Sequence, residues 1–146
     1  MVPIVGPTPG RLNLYDLLKK KNFLFFKSRY GHTLVYSKPF LIVFGGNTGN
    51  EPVNDVWSLN VEKAPFCWNK LDCGKGELPN ARVYHAAALC QTGSANGMMV
   101  VFGGRTTDGS ALNDTWGLRK HRDGRWDFVK GPYRNSSASD MPKYRY

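Results

Sequence analysis

Three histidines, three cysteines and 11 acidic residues are the side chains of this chain that could take part in chemistry. His32, His85 and His121 lie far apart in sequence, and no His-x-x-x-His pair offers a metal two ligands on one helix face. Cys67, Cys73 and Cys90 contain no Cys-x2-Cys, so they do not have zinc-knuckle spacing. An odd count also argues against a secreted disulfide framework, and reduced thiols are expected. There is no Gly-x-Ser-x-Gly elbow for a nucleophile and no clustered carboxylate pair for acid–base work. The glycine pairs Gly45-Gly46 and Gly103-Gly104 are not phosphate loops, because no Gly-Lys-Ser/Thr follows them. The histidines therefore read as structural or solvated, and catalytic, metal and cofactor-binding residues are all expected to be none.

What remains is surface chemistry. With 20 Lys+Arg against 11 Asp+Glu, the 146 residues carry a net charge of +9. The charge comes from Lys19-Lys20-Lys21, Lys27-Ser28-Arg29 and Arg119-Lys120-His121-Arg122 with Arg125. No nucleic-acid motif accompanies these runs, so nucleic acid is not the expected partner. An acidic or phosphorylated protein segment suits them better, since arginine recognises carboxylates and phosphates bidentately. The longest apolar runs, such as Met98–Phe102, are far short of the ~20 residues of a membrane helix. Met1–Gly10 holds three prolines and no basic stretch, unlike a secretory signal. An intracellular site, cytoplasmic or nuclear, is expected. The glycosylation sequons at Asn113 and Asn135 are then expected to go unused.

The elements that position these residues come from a repeat. Arg29-Tyr30-Gly31-His32 returns as Arg82-Val83-Tyr84-His85, and Val43-Phe44-Gly45-Gly46 as Val101-Phe102-Gly103-Gly104. Asn54-Asp55-Val56-Trp57 returns as Asn113-Asp114-Thr115-Trp116, and Trp68 is followed by Trp126. The four offsets are 53, 58, 59 and 58 residues. The short first offset reflects an insertion in the turn-rich Gln91–Gly97. Each unit reads as four short strands. The first runs from the Arg-x-x-His through Thr33–Tyr36 or Ala86–Cys90. The second is Phe40–Phe44 or Met98–Phe102, apolar throughout, as in a strand buried on both faces. The third is Asp55–Leu59 or Asp114–Leu118, and the fourth surrounds Trp68–Leu71 or Trp126–Val129.

The flanks continue the pattern. Leu12–Leu17 and Phe23–Phe26 read as the last strands of a preceding unit, with an amphipathic helix at Leu12–Lys21 as the competing reading. Pro142-x-x-Arg145 repeats Pro79-x-x-Arg82. The expected division is a segment 1–27, units 28–78 and 79–134, and a linker with the start of a further unit at 135–146.

This unit resembles the Kelch repeat, in which four antiparallel strands form one blade of a β-propeller. The resemblance implies an all-β partial propeller of about two full blades. It assigns structural roles to Gly45, Gly46, Asp55, Trp57 and Trp68, and to Gly103, Gly104, Asp114, Trp116 and Trp126. Tyr84–Cys90, Gly103-Gly104-Arg105 and Lys120–Trp126 (KHRDGRW) are most similar to the Kelch region of Ser/Thr protein phosphatases with Kelch-like repeats. Such phosphatases hold two divalent metals, but their metal-binding motifs do not occur in this sequence, so no cofactor is expected in this chain. The expected function is a non-catalytic protein-interaction module, the regulatory or substrate-recruiting part of such a phosphatase. A generic Kelch scaffold or adaptor, such as a ubiquitin-ligase substrate adaptor, is the alternative. Recognition is expected on Asn47–Val53, Arg105–Leu112 and Arg119–Arg125, with Arg105, Arg119, Arg122 and Arg125 as contacts. Further blades of a longer chain are also expected partners.

Overall fold

The computed structural model of the chain describes residues 25–131. Two four-stranded antiparallel sheets account for nearly all its regular structure. The first contains β1 (Thr33–Ser37), β2 (Phe40–Phe44), β3 (Val56–Asn60) and β4 (Trp68–Lys70), in that spatial order. The second contains β5 (Ala86–Leu89), β6 (Met99–Phe102), β7 (Thr115–Lys120) and β8 (Trp126–Lys130), again in order. One short 3₁₀ turn, Gly93–Ala95, lies in the inserted stretch between β5 and β6. The segments at Leu12–Leu17, Asn135–Asp140 and Pro142–Arg145 lie outside the described residues. Of Phe23–Phe26 only the last two are described, and neither is in a strand. Phe26 instead stacks on Trp68 at 4.6 Å and meets Trp57 edge-on at 5.6 Å.

The core lies between the sheets. Val35, Ile42, Phe44 and Val56 project from the first onto Met99, Val101, Trp116 and Leu118 of the second. Burying each such side chain is worth ~1.5–3 kcal/mol. The strand pattern read from sequence holds, with two corrections. The Arg-x-x-His segments lie outside the strands, because Gly31 and Tyr84 take φ of 68° and 57° and interrupt the ladder. And Trp126 does not occupy the place of Trp68. Trp68 lies opposite Leu59, whereas the residue opposite the equivalent Leu118 is Phe128. Trp126 lies opposite Lys120, because the β7–β8 strands extend further before turning.

Each unit is closed by one buried ion pair. The Arg82 guanidinium, fully buried, donates to Asp114 Oδ1 and Oδ2 at 2.7 and 2.9 Å and to the Gly103 carbonyl at 3.0 Å. Trp116 Nε1 donates to the same carboxylate at 2.7 Å. In the first unit Arg29 meets Asp55 at 2.6 Å and the Gly45 carbonyl at 3.1 Å, and Trp57 Nε1 meets Asp55 at 2.8 Å. The second glycine of each pair lets the segment that follows the arginine pass close by. A Cβ on Gly46 would lie 2.8 Å from His32 Cβ, and one on Gly104 2.7 Å from the Val83 carbonyl oxygen, at φ values no L side chain adopts easily. Burial works against the charge on Asp114, but the hydrogen bonds from Arg82 and Trp116 outweigh it and hold the carboxyl below its usual range.

The sheets are also joined edge to edge. Gly46 N–H donates to the Arg82 carbonyl (2.9 Å), Arg82 N–H to the Val53 carbonyl (3.3 Å), and Tyr84 N–H to the Gly31 carbonyl (2.8 Å). Thr33 Oγ1 and His85 Nε2 share a hydrogen bond of 2.7 Å across the gap. His85 is 6% exposed, and its buried Nδ1 has no hydrogen-bond partner among the described residues. Burial first, and the Arg82 guanidinium second, push its pKa down to about 4, with the Phe44 backbone pulling the other way.

Two predictions follow from these groups. Asp114→Ala leaves a buried guanidinium unpaired and is expected to cost ~3–5 kcal/mol in urea unfolding, whereas Lys38→Ala, in an exposed pair, costs under ~1 kcal/mol. For His85 the folded pKa lies below the ordinary 6.5. Its contribution is therefore complete above that value and is lost as pH falls toward 4, by ~3 kcal/mol in all. Urea midpoints measured across this window should fall for the native chain and fall less for His85→Gln.

Candidate protein-interaction surface

Antiparallel order sorts the connections onto two rims. Thr33 pairs with Phe44, and Phe44 in turn with Val56, so the β2–β3 connection lies at the rim where β1 begins. Ala86, Phe102 and Thr115 place the β6–β7 connection at the same rim. The β7–β8 turn, closed by Lys120 and Trp126, lies at the opposite rim. Asn47–Val53 and Arg105–Leu112 therefore share one rim, and Arg119–Arg125 belongs to the other. The four arginines are not one site: Arg105 is separated from Arg119, Arg122 and Arg125 by the length of the sheet. Sequence proximity hid this, since consecutive turns of an antiparallel sheet alternate between its ends.

On the first rim Arg105 is exposed, and its backbone bridges both Val83 and Ala111. The loop beyond it is stiff. Thr106 N–H donates to the Ser110 carbonyl and Ser110 N–H to Asp108 Oδ1, both at 3.0 Å. The Thr106 hydroxyl also reaches Asp108, and this bond is the main reason its pKa lies down at about 2. Beside this loop stand two residues the sequence reading passed over. Tyr30 and Tyr84 are 53% and 50% exposed, with rings 6.4 Å apart. Tyr84 is the only non-glycine described residue with positive φ, at a place where the first unit has Gly31. A bulky side chain there costs roughly 1–3 kcal/mol of backbone strain.

On the opposite rim the basic run is partly neutralised. Arg119 Nε and Nη2 donate to Asp127 Oδ1 and Oδ2 at 2.7 and 3.0 Å, and His121 Nε2 approaches the same carboxylate at 3.1 Å. The Arg119 hydrogen bond, foremost, holds Asp127 below the usual carboxylate range. Arg125 pairs with Asp123 at 2.7 Å. Lys120 lies over the Phe40 ring at 4.7 Å. Arg122, at the turn, is exposed and makes no ion pair or hydrogen bond among the described residues. The surplus positive charge is thus on Lys120 and Arg122. Asp123 stood within the run and Asp127 just beyond it, and their spacing from the arginines was the signal that could have shown this.

Among the described residues no three His, Cys, Asp or Glu side chains come together as a metal site, and no helix is long and apolar enough to cross a membrane. The cysteines are free, and burial, with help from Asp72, raises the Cys73 thiol to about 11.

Sequential four-stranded sheets, stacked face to face and each locked by an Arg–Asp–Trp cluster beside a glycine pair, are blades of a β-propeller. The chain belongs to the Kelch-repeat family: residues 22–140 match the KLHDC2/KLHL20/DRC7 Kelch-repeats domain. It is similar to serine/threonine-protein phosphatase BSL2 of Arabidopsis thaliana, 36% identical over 71% of this chain and 10% of that protein. It is also similar to dynein regulatory complex subunit 7 of Chlamydomonas reinhardtii, 36% identical over 62% of this chain and 7% of that protein. A third relative is the leucine-zipper-like transcriptional regulator 1 homolog of Drosophila melanogaster, 31% identical over 60% of this chain and 8% of that protein. The chain thus spans a tenth or less of the length of these relatives.

Because glycine occupies the equivalent place in the first unit, Tyr84→Gly is expected to remove strain. The urea midpoint should rise by the equivalent of ~1 kcal/mol. A lower midpoint would mean that the Tyr84 ring contributes more by packing on Tyr30 than its backbone costs.

Proposed function

We propose that the chain is a non-catalytic protein-interaction module and that the β7–β8 rim receives an acidic or phosphorylated segment of a partner protein. The observation that carries this reading is the charge left over on that rim. Arg119 and Arg125 are held by Asp127 and Asp123, and Lys120 and Arg122 present uncompensated positive charge on a rigid hairpin. Paired arginines also keep their planes oriented, which suits bidentate contacts to a second carboxylate or phosphate. Arg105 on the other rim then belongs to a separate contact.

The likeness to a serine/threonine-protein phosphatase supports placing this module beside a phosphatase domain, where it would recruit substrate or regulate access. The metal-dependent chemistry would reside in that domain and not in these blades. The equal identity to a dynein regulatory complex subunit favours, as the second reading, a scaffold with no phosphatase attached. Sequencing the transcript beyond Tyr146 separates the two, since only the first requires a metallophosphatase motif set in the same polypeptide.

The rim assignment is tested by titrating the chain with acidic and phosphorylated peptide arrays. Lys120→Glu with Arg122→Glu is expected to weaken binding about tenfold or more and to flatten its salt dependence. Arg105→Glu should leave that binding unchanged. Equal loss from both variants, or from neither, would overturn the assignment.

A further inference from the structure

The two blades differ in their outer hairpin tips. In the second blade the β7–β8 turn closes tightly, with His121 N–H on the Arg125 carbonyl at 2.7 Å and Gly124 N–H on the His121 carbonyl at 3.0 Å. It exposes charged groups and a glycine: Arg122, Asp123, Gly124 and Arg125. The first blade has a longer connection, residues 61–67, at the equivalent place between β3 and β4. This connection ends in Ala64, Pro65, Phe66 and Cys67, and all four are exposed. Phe66, at 63%, is the most exposed large hydrophobic side chain among the described residues. One exposed phenylalanine is ordinary on a protein surface. Four exposed apolar residues in a row are not, and such a run marks an interaction surface. The fold itself does not need the run, since the second blade closes its hairpin without one.

The apolar tip and the basic turn share one rim. Phe40 lies opposite Asn60 and Trp68 opposite Leu59, so the 61–67 connection springs from the rim where β1 ends. Val61 N–H donates to the Pro39 carbonyl at 3.0 Å, which ties the connection to the β1–β2 turn. The next residue, Phe40, meets the second blade. Its ring is edge-on to Trp126 at 6.1 Å, and Lys120 Nζ lies 4.7 Å from its centre. Strands lie ~4.8 Å apart, so β4, which the apolar tip enters, is ~10 Å from Phe40. The tip and Lys120 are thus separated by ~15 Å, the reach of about four or five extended residues.

Charge on this rim is selective. Lys38 is paired with Glu62 at 3.6 Å and Arg125 with Asp123 at 2.7 Å, and both acids are exposed. A broad anionic surface such as a lipid bilayer would meet these acids together with the cations. A narrow segment can pass between them and reach Lys120 and Arg122.

Given an acid-binding β7–β8 rim, as proposed above, we infer that the partner segment is bipartite. A carboxylate or phosphate settles on Lys120 and Arg122. An apolar side chain about four residues away packs on the tip formed by Pro65 and Phe66. Each blade therefore supplies one half of the contact through the same hairpin, apolar in the first and basic in the second. The apolar half is insensitive to salt and the ionic half is screened by it, so the two can be told apart.

The probes are short Gly/Ser peptides with one phosphoserine, or aspartate in its place, and a leucine four residues before it, four after it, or absent. In titrations of the chain, one of the leucine peptides is expected to bind about tenfold more tightly than its leucine-free counterpart. Phe66→Ser should remove that gain and leave the leucine-free peptide, the salt dependence and the urea midpoint unchanged. Lys120→Glu with Arg122→Glu should weaken all the peptides. If that double variant changes nothing, or no peptide binds, the acid-binding rim fails and the bipartite partner with it. If the double variant acts but leucine brings no gain, or Phe66→Ser leaves the gain intact, the bipartite partner alone is overturned. Phosphatidylcholine vesicles containing phosphatidylserine should not bind. Vesicle binding that Phe66→Ser abolishes would overturn the assignment and give the tip to a membrane.

Discussion

A guanidinium taken wholly out of water is the constraint around which each blade is arranged. The Arg82 side chain has no exposed surface and that of Arg29 only 2%. Desolvating such an ion costs several kcal/mol unless its donors are met. The cluster meets them with one carboxylate and two main-chain carbonyls, those of Gly103 and Asn80, and Trp116 Nε1 also donates to that carboxylate. The geometry has little freedom. Asp114 must open β7, Gly103 must turn its carbonyl inward, and the tryptophan must stand two residues past the aspartate.

The same arginine links the blades, and this makes the local cluster a long-range one. Its side chain closes its own sheet, while its N–H and carbonyl hold the preceding glycine pair and β2–β3 connection. A blade cannot lose its ion pair without loosening its neighbour. Stability is therefore shared across the inter-blade seam, as nearest-neighbour coupling in repeat proteins requires. His85 sits in that seam, against Thr33 and Phe44. A proton on its ring would place a second cation beside Arg82, which is why burial and charge both oppose it.

Most of this architecture was legible in the sequence because the repeat supplied its own control. The run Phe40–Phe44 alone does not distinguish a strand from a short buried helix. The same run with the same glycine pair and tryptophan, returning at Met98–Phe102, does. What was not legible depended on distance in space. Residue identity aligned Trp126 with Trp68, but pairing places Phe128 there, since a hairpin can lengthen without altering the residues that look alike. The arginines of the candidate surface were read as one set, but alternate turns place Arg105 on one rim and the others opposite. The resemblance gave Asp55 and Asp114 structural roles without naming their partners, and their pairing as counter-ions with Arg29 and Arg82 needed the fold to bring residues 26 and 32 positions apart into contact.

The two units differ least inside their locks and most where they meet something else. Arg, Asp, Trp and the glycine pair are common to both, while Gly31 becomes Tyr84, Thr33 becomes Ala86 and Val35 becomes Ala88. Substitution within the lock would leave a buried charge unpaired. Substitution on a face or rim alters only which surface the blade offers. A Kelch blade thus separates what folds it from what it recognises. The rigid part tolerates a strained Tyr84 or a charged β7–β8 turn because neither shares a hydrogen bond with the Arg–Asp–Trp cluster. Recognition on such a scaffold can change one rim at a time, and the stability of the seam sets how much strain each change is allowed to carry.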